Sequence, residues 1–231
     1  MEYLQNGYTL DICEGGFPLS TDSIALADFA KLPKAARVLD LGSGCGTLGM
    51  LLCAKDANCR VTGIELTEQA HQTALENIAR NDLSARLESI CGDVNSFSEM
   101  ITPGSFHCCI SNPPYFSGGP QSKTVPVARR NDLLSTDTLF AAASWALRYG
   151  GDFFLVHKPE KLAELCASGG KHGLEAKRLL LLRHKEGGAV NLVLLQFRKG
   201  GKPGLIWEEA ALHLSDGSPT DYYRKLYHQE V

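Results

Sequence analysis

The chain has 231 residues, 44% hydrophobic and 21% charged, with a formal net charge of −3, long enough for one domain with a sizeable core. No apolar run approaches the roughly 18 residues of a membrane span, and MEYLQNGYTL has neither the basic start nor the apolar stretch of a signal peptide, so a cytoplasmic protein without a membrane partner is expected. The eight cysteines, at 13, 45, 53, 59, 91, 108, 109 and 166, contain no C-x-x-C pair and read as free core thiols, with no metal site.

In chain order, the first element is a helix over SIALADFA, which Thr21 and Asp22 are placed to cap. From Arg37 onward, β-rich runs alternate with helical patterns. RVLDLG, CRVTGIE, ARLESICGD, FHCCISN and GDFFLVHK read as strands, and TLGMLLCAK, TEQAHQTALENIARN, STDTLFAAASWALRY and PEKLAELCASG as helices. This alternation predicts a doubly wound, mostly parallel sheet with helices on both faces. EAKRLLLLRHKE and AVNLVLLQFRK follow each other around a Gly-Gly pair with no helix between them, which predicts a C-terminal antiparallel hairpin and seven strands in all. The one long stretch without a periodic pattern is FSGGPQSKTVPVARRNDLL; a segment of that length in a compact domain is functional or disordered.

Charge divides unevenly. Residues 1 to 116 hold 7 Lys+Arg against 14 Asp+Glu, and residues 117 to 231 hold 16 against 12. The basic second half permits a phosphate-binding face on an acidic protein.

Asp40-Leu-Gly-Ser-Gly-Cys-Gly46 closes the first long strand and opens a helix. Its glycines allow close backbone approach to a ligand, and the helix N-terminus favours an anionic group. Gly42, Gly44 and Gly46 fit the G-x-G-x-G of methyltransferases, whereas Gly44, Gly46 and Gly49 satisfy the dinucleotide pattern, with Glu65 placed for a ribose contact in either case. Gly42 stands directly after the strand, and Asp93 ends the third strand where a carboxylate can accept from an adenine amine; both favour S-adenosylmethionine. Glu65 and Asp93 read equally as cap or turn residues.

SNPPYF ends the fourth strand, next to the first in this winding order. An exocyclic amine or an amide nitrogen is a poor nucleophile because its lone pair is delocalised. The Asn112 side-chain oxygen and the Pro113 carbonyl can each accept one N–H, aiming the lone pair at a methyl donor. The prolines hold the backbone out of the sheet ladder, and Tyr115 can stack on a flat acceptor, a contact worth roughly 1–3 kcal/mol per base.

The order FPLSTDSIALADF, VLDLGSGCG, SNPPYF resembles that of amino-group methyltransferases acting on adenine N6 or glutamine amides. More closely, the chain is similar to the bacterial tRNA1(Val) (adenine-37-N6)-methyltransferase family, a likeness that continues through VPVARRNDLL, VHKPEKLAEL, GLEAKRLLLL and VNLVLLQFRKGGKPGL. The resemblance implies a Rossmann-like class I methyltransferase fold, S-adenosylmethionine as cofactor and folded tRNA as partner. It implies cofactor contacts at Asp40, Gly42, Gly44, Glu65, Asp93 and Asn112, with Asn112, Pro113 and Tyr115 at the reacting amine. Thr21 and Asp22 match the family's segment near the methionine end of the cofactor, and remain equally a cap pair. The expected organisation is a single domain, 1–231, with a cofactor-covering segment at 1–36, a core at 37–200 and a C-terminal extension at 201–231.

The chain has no room for the extra target-recognition region of DNA adenine methyltransferases, so the substrate must carry its own shape, as a folded RNA loop with a splayed base does. Arg129 and Arg130 are the candidate phosphate contacts, with Lys158, Lys161, Lys177 and Arg178 as an extension or as ordinary surface charges. A protein glutamine methyltransferase of the release-factor type shares the chemistry, but carries a helical domain before the glycine loop where only some 36 residues stand here. A binding module without turnover and a dehydrogenase are the readings from other classes.

Overall fold

The strand-like runs assemble into one sheet in the computed structural model, which describes residues 1–4, 7–115 and 134–228. A small hairpin, β1 (Glu2–Tyr3) and β2 (Thr9–Leu10), precedes α1 (Thr21–Phe29), β3 (Arg37–Leu41), α2 (Thr47–Lys55), β4 (Arg60–Glu65), α3 (Glu68–Arg80) and β5 (Leu87–Cys91). A short α4 (Phe97–Met100) leads to β6 (Phe106–Ser111), then α5 (Thr136–Ala146), β7 (Leu147–His157), α6 (Leu162–Lys171), β8 (Leu174–Lys185) and β9 (Val190–Lys199). β10 (Ile206–His213) and α7 (Asp221–Leu226) close the described chain.

The sheet order is β10-β8-β9-β7-β6-β3-β4-β5. β9 alone runs against its neighbours, pairing antiparallel with β7 and β8, as the expected hairpin requires. Along the buried strands alternate side chains enter opposite layers, the period-2 consequence of the pleat. Val38, Cys108, Ile110, Phe154, Val156 and Leu194 pack with α1 and α2. Leu39, Leu41, Cys109, Phe153, Leu155 and Phe197 pack with α5 and α6 on the other face.

The structure corrects the sequence in three places. The sheet has eight strands, not seven: Ile206–His213 lies as an edge strand parallel to β8. Its exposed Ile206, Trp207, Glu208 and Glu209 show no alternation, so periodicity did not mark it. The helix predicted through LRY ends at Ala146, where Leu147 turns extended with ψ 136° and enters β7 directly. Of the eight free cysteines, five are buried, but Cys91 and Cys166 are exposed and Cys13 is partly so.

The N-terminal segment is held by α3. Asn81 accepts from the Thr9 N–H and donates to the Thr9 carbonyl, both at 2.8 Å, and Asn77 does the same for Asp11 at 2.8 and 2.9 Å. One helical turn apart, the two amides mimic a neighbouring strand. Asn77 is fully buried and also donates to the Cys45 carbonyl at 3.0 Å, tying residues 9–11 to the glycine loop.

Candidate active site

The loop after β3 takes conformations that only glycine adopts readily: φ is 77° at Gly42, 55° at Gly44 and 87° at Gly46. At Gly42 and Gly44 nothing lies within 4 Å of where a Cβ would stand, so bare backbone faces open space. Gly49, the third glycine of the dinucleotide register, lies instead inside α2, with its Cβ position 2.5 Å from Leu87, and serves helix packing. Gly42, Gly44 and Gly46 all lie in the loop, whereas the dinucleotide register would spend its third glycine inside the helix.

Glu65, at the end of β4, braces the loop. Its Oε2 accepts from the Gly44 N–H at 2.9 Å, and its Oε1 accepts from the Thr67 N–H and hydroxyl at 2.8 and 2.7 Å. A carboxylate oxygen can accept twice, so Oε2 retains capacity for a ribose hydroxyl. Asp40 stands behind the loop. It is 1% exposed, neither oxygen has a hydrogen-bond partner among the described residues, and burial followed by the Glu65 charge pushes its pKa up from 3.8 to about 8. Asp93 follows β5, next to β4, where the Gly92 N–H donates to the Glu65 carbonyl at 2.8 Å. Its Oδ1 accepts from the Asn95 N–H and Nδ2, each at 2.8 Å, so it is a turn cap as well as a neighbour of Glu65. Bare loop backbone flanked by carboxylates at the ends of adjacent strands fits an adenosyl cofactor.

The SNPPY stretch reaches the carboxyl end of the same strands because β6 lies beside β3. The Ser111 hydroxyl donates to the Leu41 carbonyl at 2.8 Å, locking the end of β6 to the strand that carries the glycine loop. Asn112 then meets the start of α1: its Nδ2 donates to Ser23 Oγ at 3.0 Å, and its Oδ1 accepts from the Tyr115 hydroxyl at 2.6 Å. Burial, then the nearby Asp22 carboxylate, push the Tyr115 phenol well above its ordinary range, so it stays protonated. Its ring packs edge-on against His157, centroids 5.1 Å apart. His157 Nδ1 accepts from the Lys158 N–H at 2.8 Å, which puts any single ring proton on Nε2. Burial, then Lys161, lower the His157 pKa, keeping the ring neutral.

A cavity of about 690 Å³ opens beside the motif, lined by Pro113, Tyr115, Leu139, His157, Lys158 and Lys161 among others. Lys158 Nζ lies 5.1 Å from the Tyr115 ring centroid, within cation–π range, and Lys161 pairs with Glu164 at 2.7 Å. These two lysines line the cavity; Lys177 and Arg178 do not. Both occupy the first half of β8, away from the carboxyl ends of the parallel strands. Lys177 donates to the Lys202 carbonyl, and Arg178 stacks 4.3 Å over the Phe29 ring and donates to the Phe29 carbonyl. Arg178 is a packing residue rather than part of a phosphate track. Arg129 and Arg130 lie outside the described residues.

Thr21 and Asp22 stand in the first turn of α1, but they are not its cap. Ser20 is, accepting from the Ser23 N–H at 3.4 Å, while the Thr21 hydroxyl shares a 2.7 Å bond with the Tyr227 hydroxyl. Sequence reasoning missed Ser23 and His157. It also missed Gly63, where a Cβ would stand 2.6 Å from Ser43 Oγ; a glycine interrupting VTGIE was the available signal for that close approach. Among the described residues, no group of three His, Cys, Asp or Glu side chains is placed to hold a metal, and no helix is long and apolar enough to cross a membrane.

A glycine loop after the central parallel strand, with Asn-Pro-Pro-Tyr at the end of its neighbour, defines a Rossmann-like class I methyltransferase. The family model of the methyltransferase small domain matches residues 22–165. Among curated proteins, the chain is 34% identical to the tRNA1(Val) (adenine(37)-N6)-methyltransferase of Shewanella halifaxensis, covering 81% of this chain and 77% of that one. It is 29% identical to the protein of the same name from Photobacterium profundum, over 91% and 93% of the two chains. The chain belongs to the tRNA1(Val) (adenine(37)-N6)-methyltransferase family. Among solved structures, a predicted O-methyltransferase from Agrobacterium tumefaciens superposes with a TM-score of 0.75 at 24% identity, covering 90% of this chain and 96% of that one; at that identity the likeness is one of fold.

Proposed function

We propose that this enzyme methylates the exocyclic N6 amine of an adenine in tRNA, with S-adenosylmethionine as methyl donor, in the cytoplasm. The observation that carries the reading is the Asn112 amide, fixed between Ser23 and Tyr115 at the end of the strand bonded to the glycine-loop strand. The backbone of Gly42 and Gly44 borders the methyl donor, Glu65 takes its ribose and Asp93 its adenine edge, with Thr21 and Asp22 toward the methionine end. When bound, the cofactor supplies an electrophilic methyl group.

Asn112 Oδ1 and the Pro113 carbonyl accept the two N–H bonds of the acceptor amine, turning its lone pair toward the cleft and stabilising the charge that develops on nitrogen. The Tyr115 ring, backed by His157, gives the flat base an apolar face, and Lys158 brings positive charge for the RNA backbone. No side chain is needed as a strong base, because the methylated nitrogen becomes acidic and its proton leaves to water. The same reading makes residues 1–36 a cover for the cofactor, with 37–200 and 201–231 as core and extension of a single domain; Asn77 bridging Asp11 and Cys45 supports the cover.

The test is methyl transfer from labelled S-adenosylmethionine to tRNA lacking its modifications, wild type beside Asn112→Ala, followed by nucleoside analysis. N6-methyladenosine made by the wild type and lost in the variant is the expected result. Absence of label in RNA, with cofactor binding intact, would overturn the tRNA reading and point to glutamine in a release factor.

A further inference from the structure

The Asn112 side chain is useful to the reaction only if its amide is held in one place with its oxygen toward the acceptor. A primary amide has two orientations of nearly the same shape and opposite hydrogen-bonding character. Ser23 lies within reach: it is 6% exposed, and its Oγ stands 3.0 Å from Asn112 Nδ2, across 89 residues of chain. With the Tyr115 hydroxyl donating to Oδ1, the amide is gripped on both sides.

Ser23 is itself held. The Ser20 cap accepts from its N–H. At the other end of α1, Lys55 Nζ donates to the carbonyls of Ala27, Asp28 and Ala30 at 2.8, 2.8 and 2.9 Å. That cation satisfies carbonyls the helix end leaves unpaired and favours the negative end of its dipole. Phe29 packs edge-on against Phe154 of β7, 6.3 Å between centroids. The serine therefore projects from a helix braced at both ends, and its hydroxyl is a fixed point for the amide.

We infer that Ser23 is a positioning residue: its hydroxyl accepts from Asn112 Nδ2 and so holds Oδ1 toward the acceptor amine, while touching neither acceptor nor donor itself. The inference rests on the reading of Asn112 as the group that receives that amine. Its consequence is specific. Loss of the hydroxyl leaves the binding of cofactor and RNA in place and slows the chemical step, because the amide turns or drifts from its working geometry.

The experiment measures Ser23→Ala and Ser23→Cys beside wild type and Asn112→Ala. The cysteine keeps the bulk and replaces the oxygen with a weak acceptor, so a folding defect in one variant leaves the other to decide. Single-turnover rates and KM for unmodified tRNA are read together with the Asn112 side-chain NH2 signals in asparagine-labelled protein, assigned by their loss in Asn112→Ala. Expected are rates about 10- to 100-fold lower, the scale of a displaced catalytic group, an unchanged KM, and Asn112 NH2 signals shifted and faster to exchange. Wild-type rates, a loss carried by KM alone, or unmoved NH2 signals would each overturn the inference. Full activity in the Ser23 variants beside an inactive Asn112→Ala removes this inference alone; full activity in Asn112→Ala removes the proposed chemistry with it.

Discussion

Replacing Asp40 by Asn should change how stability depends on pH. The Asp40 carboxyl is 1% exposed, both oxygens lack partners among the described residues, and burial, then Glu65, carry its pKa from 3.8 to about 8. The folded chain thus keeps a proton that the unfolded chain releases near pH 4. Below pH 4 both states hold it and no difference arises. Between about 4 and 8 the folded state binds more protons, so stability falls as pH rises, by about 1.4 kcal/mol per pH unit for one proton. Across the window the loss is on the order of 5 kcal/mol, and above pH 8 it levels off. An amide is neutral throughout, so Asp40→Asn removes the slope, while titrating groups that do not interact with Asp40 contribute alike to both chains and cancel. Urea unfolding of the cofactor-free proteins at pH 5, 6, 7, 8 and 9 reads the difference directly. The variant should gain on the wild type with each step up to pH 8. Parallel stability curves would refute the argument that an unpaired buried carboxyl holds its proton in the fold.

Phe140→Ala should cost about 3–5 kcal/mol and lower Tm in calorimetry, because this fully buried ring packs edge-on against Phe153 and Phe197 at 5.3 and 4.9 Å. Gly63→Ala should weaken S-adenosylmethionine binding about tenfold in titration calorimetry, a loss of about 1.4 kcal/mol, since the new Cβ would meet Ser43 Oγ at 2.6 Å; adding Ser43→Gly should recover it. Asn77→Ala should release residues 9–11, seen as faster amide exchange at Asp11, and cost about 1–3 kcal/mol for the backbone groups left unpaired; unchanged exchange there would count against the clamp.

Much of this architecture was legible locally. RVLDLG, FHCCISN and GDFFLVHK are buried on both faces, so they appear as continuous apolar runs, and helices with apolar spacing separate them; the winding order then puts SNPPY beside the glycine loop. A left-handed backbone that only glycine adopts readily also leaves a sequence trace, at Gly42 and Gly44. Where the chain departed from expectation, competing signals came from outside the element. LRY continues a helical pattern, but Leu147 pairs with Phe106, and sheet pairing ended the helix. Ile206–His213 carries no alternation because an edge strand buries little of either face.

Composition, periodicity and glycine placement set which chemical groups are present and which strand end carries each: the loop after Leu41, Glu65 at the end of β4, Asn112 after β6. The partners each group meets there come from the packing of distant elements. Ser23 meets Asn112 across 89 residues, Asn77 joins Asp11 to Cys45, Arg178 turns onto Phe29, and Asp40 loses its solvent without gaining a partner among the described residues. Propensity and periodicity act within one element, over a few residues. Hydrogen-bond partnership and desolvation depend on which distant elements pack together, and that is settled by the whole chain at once.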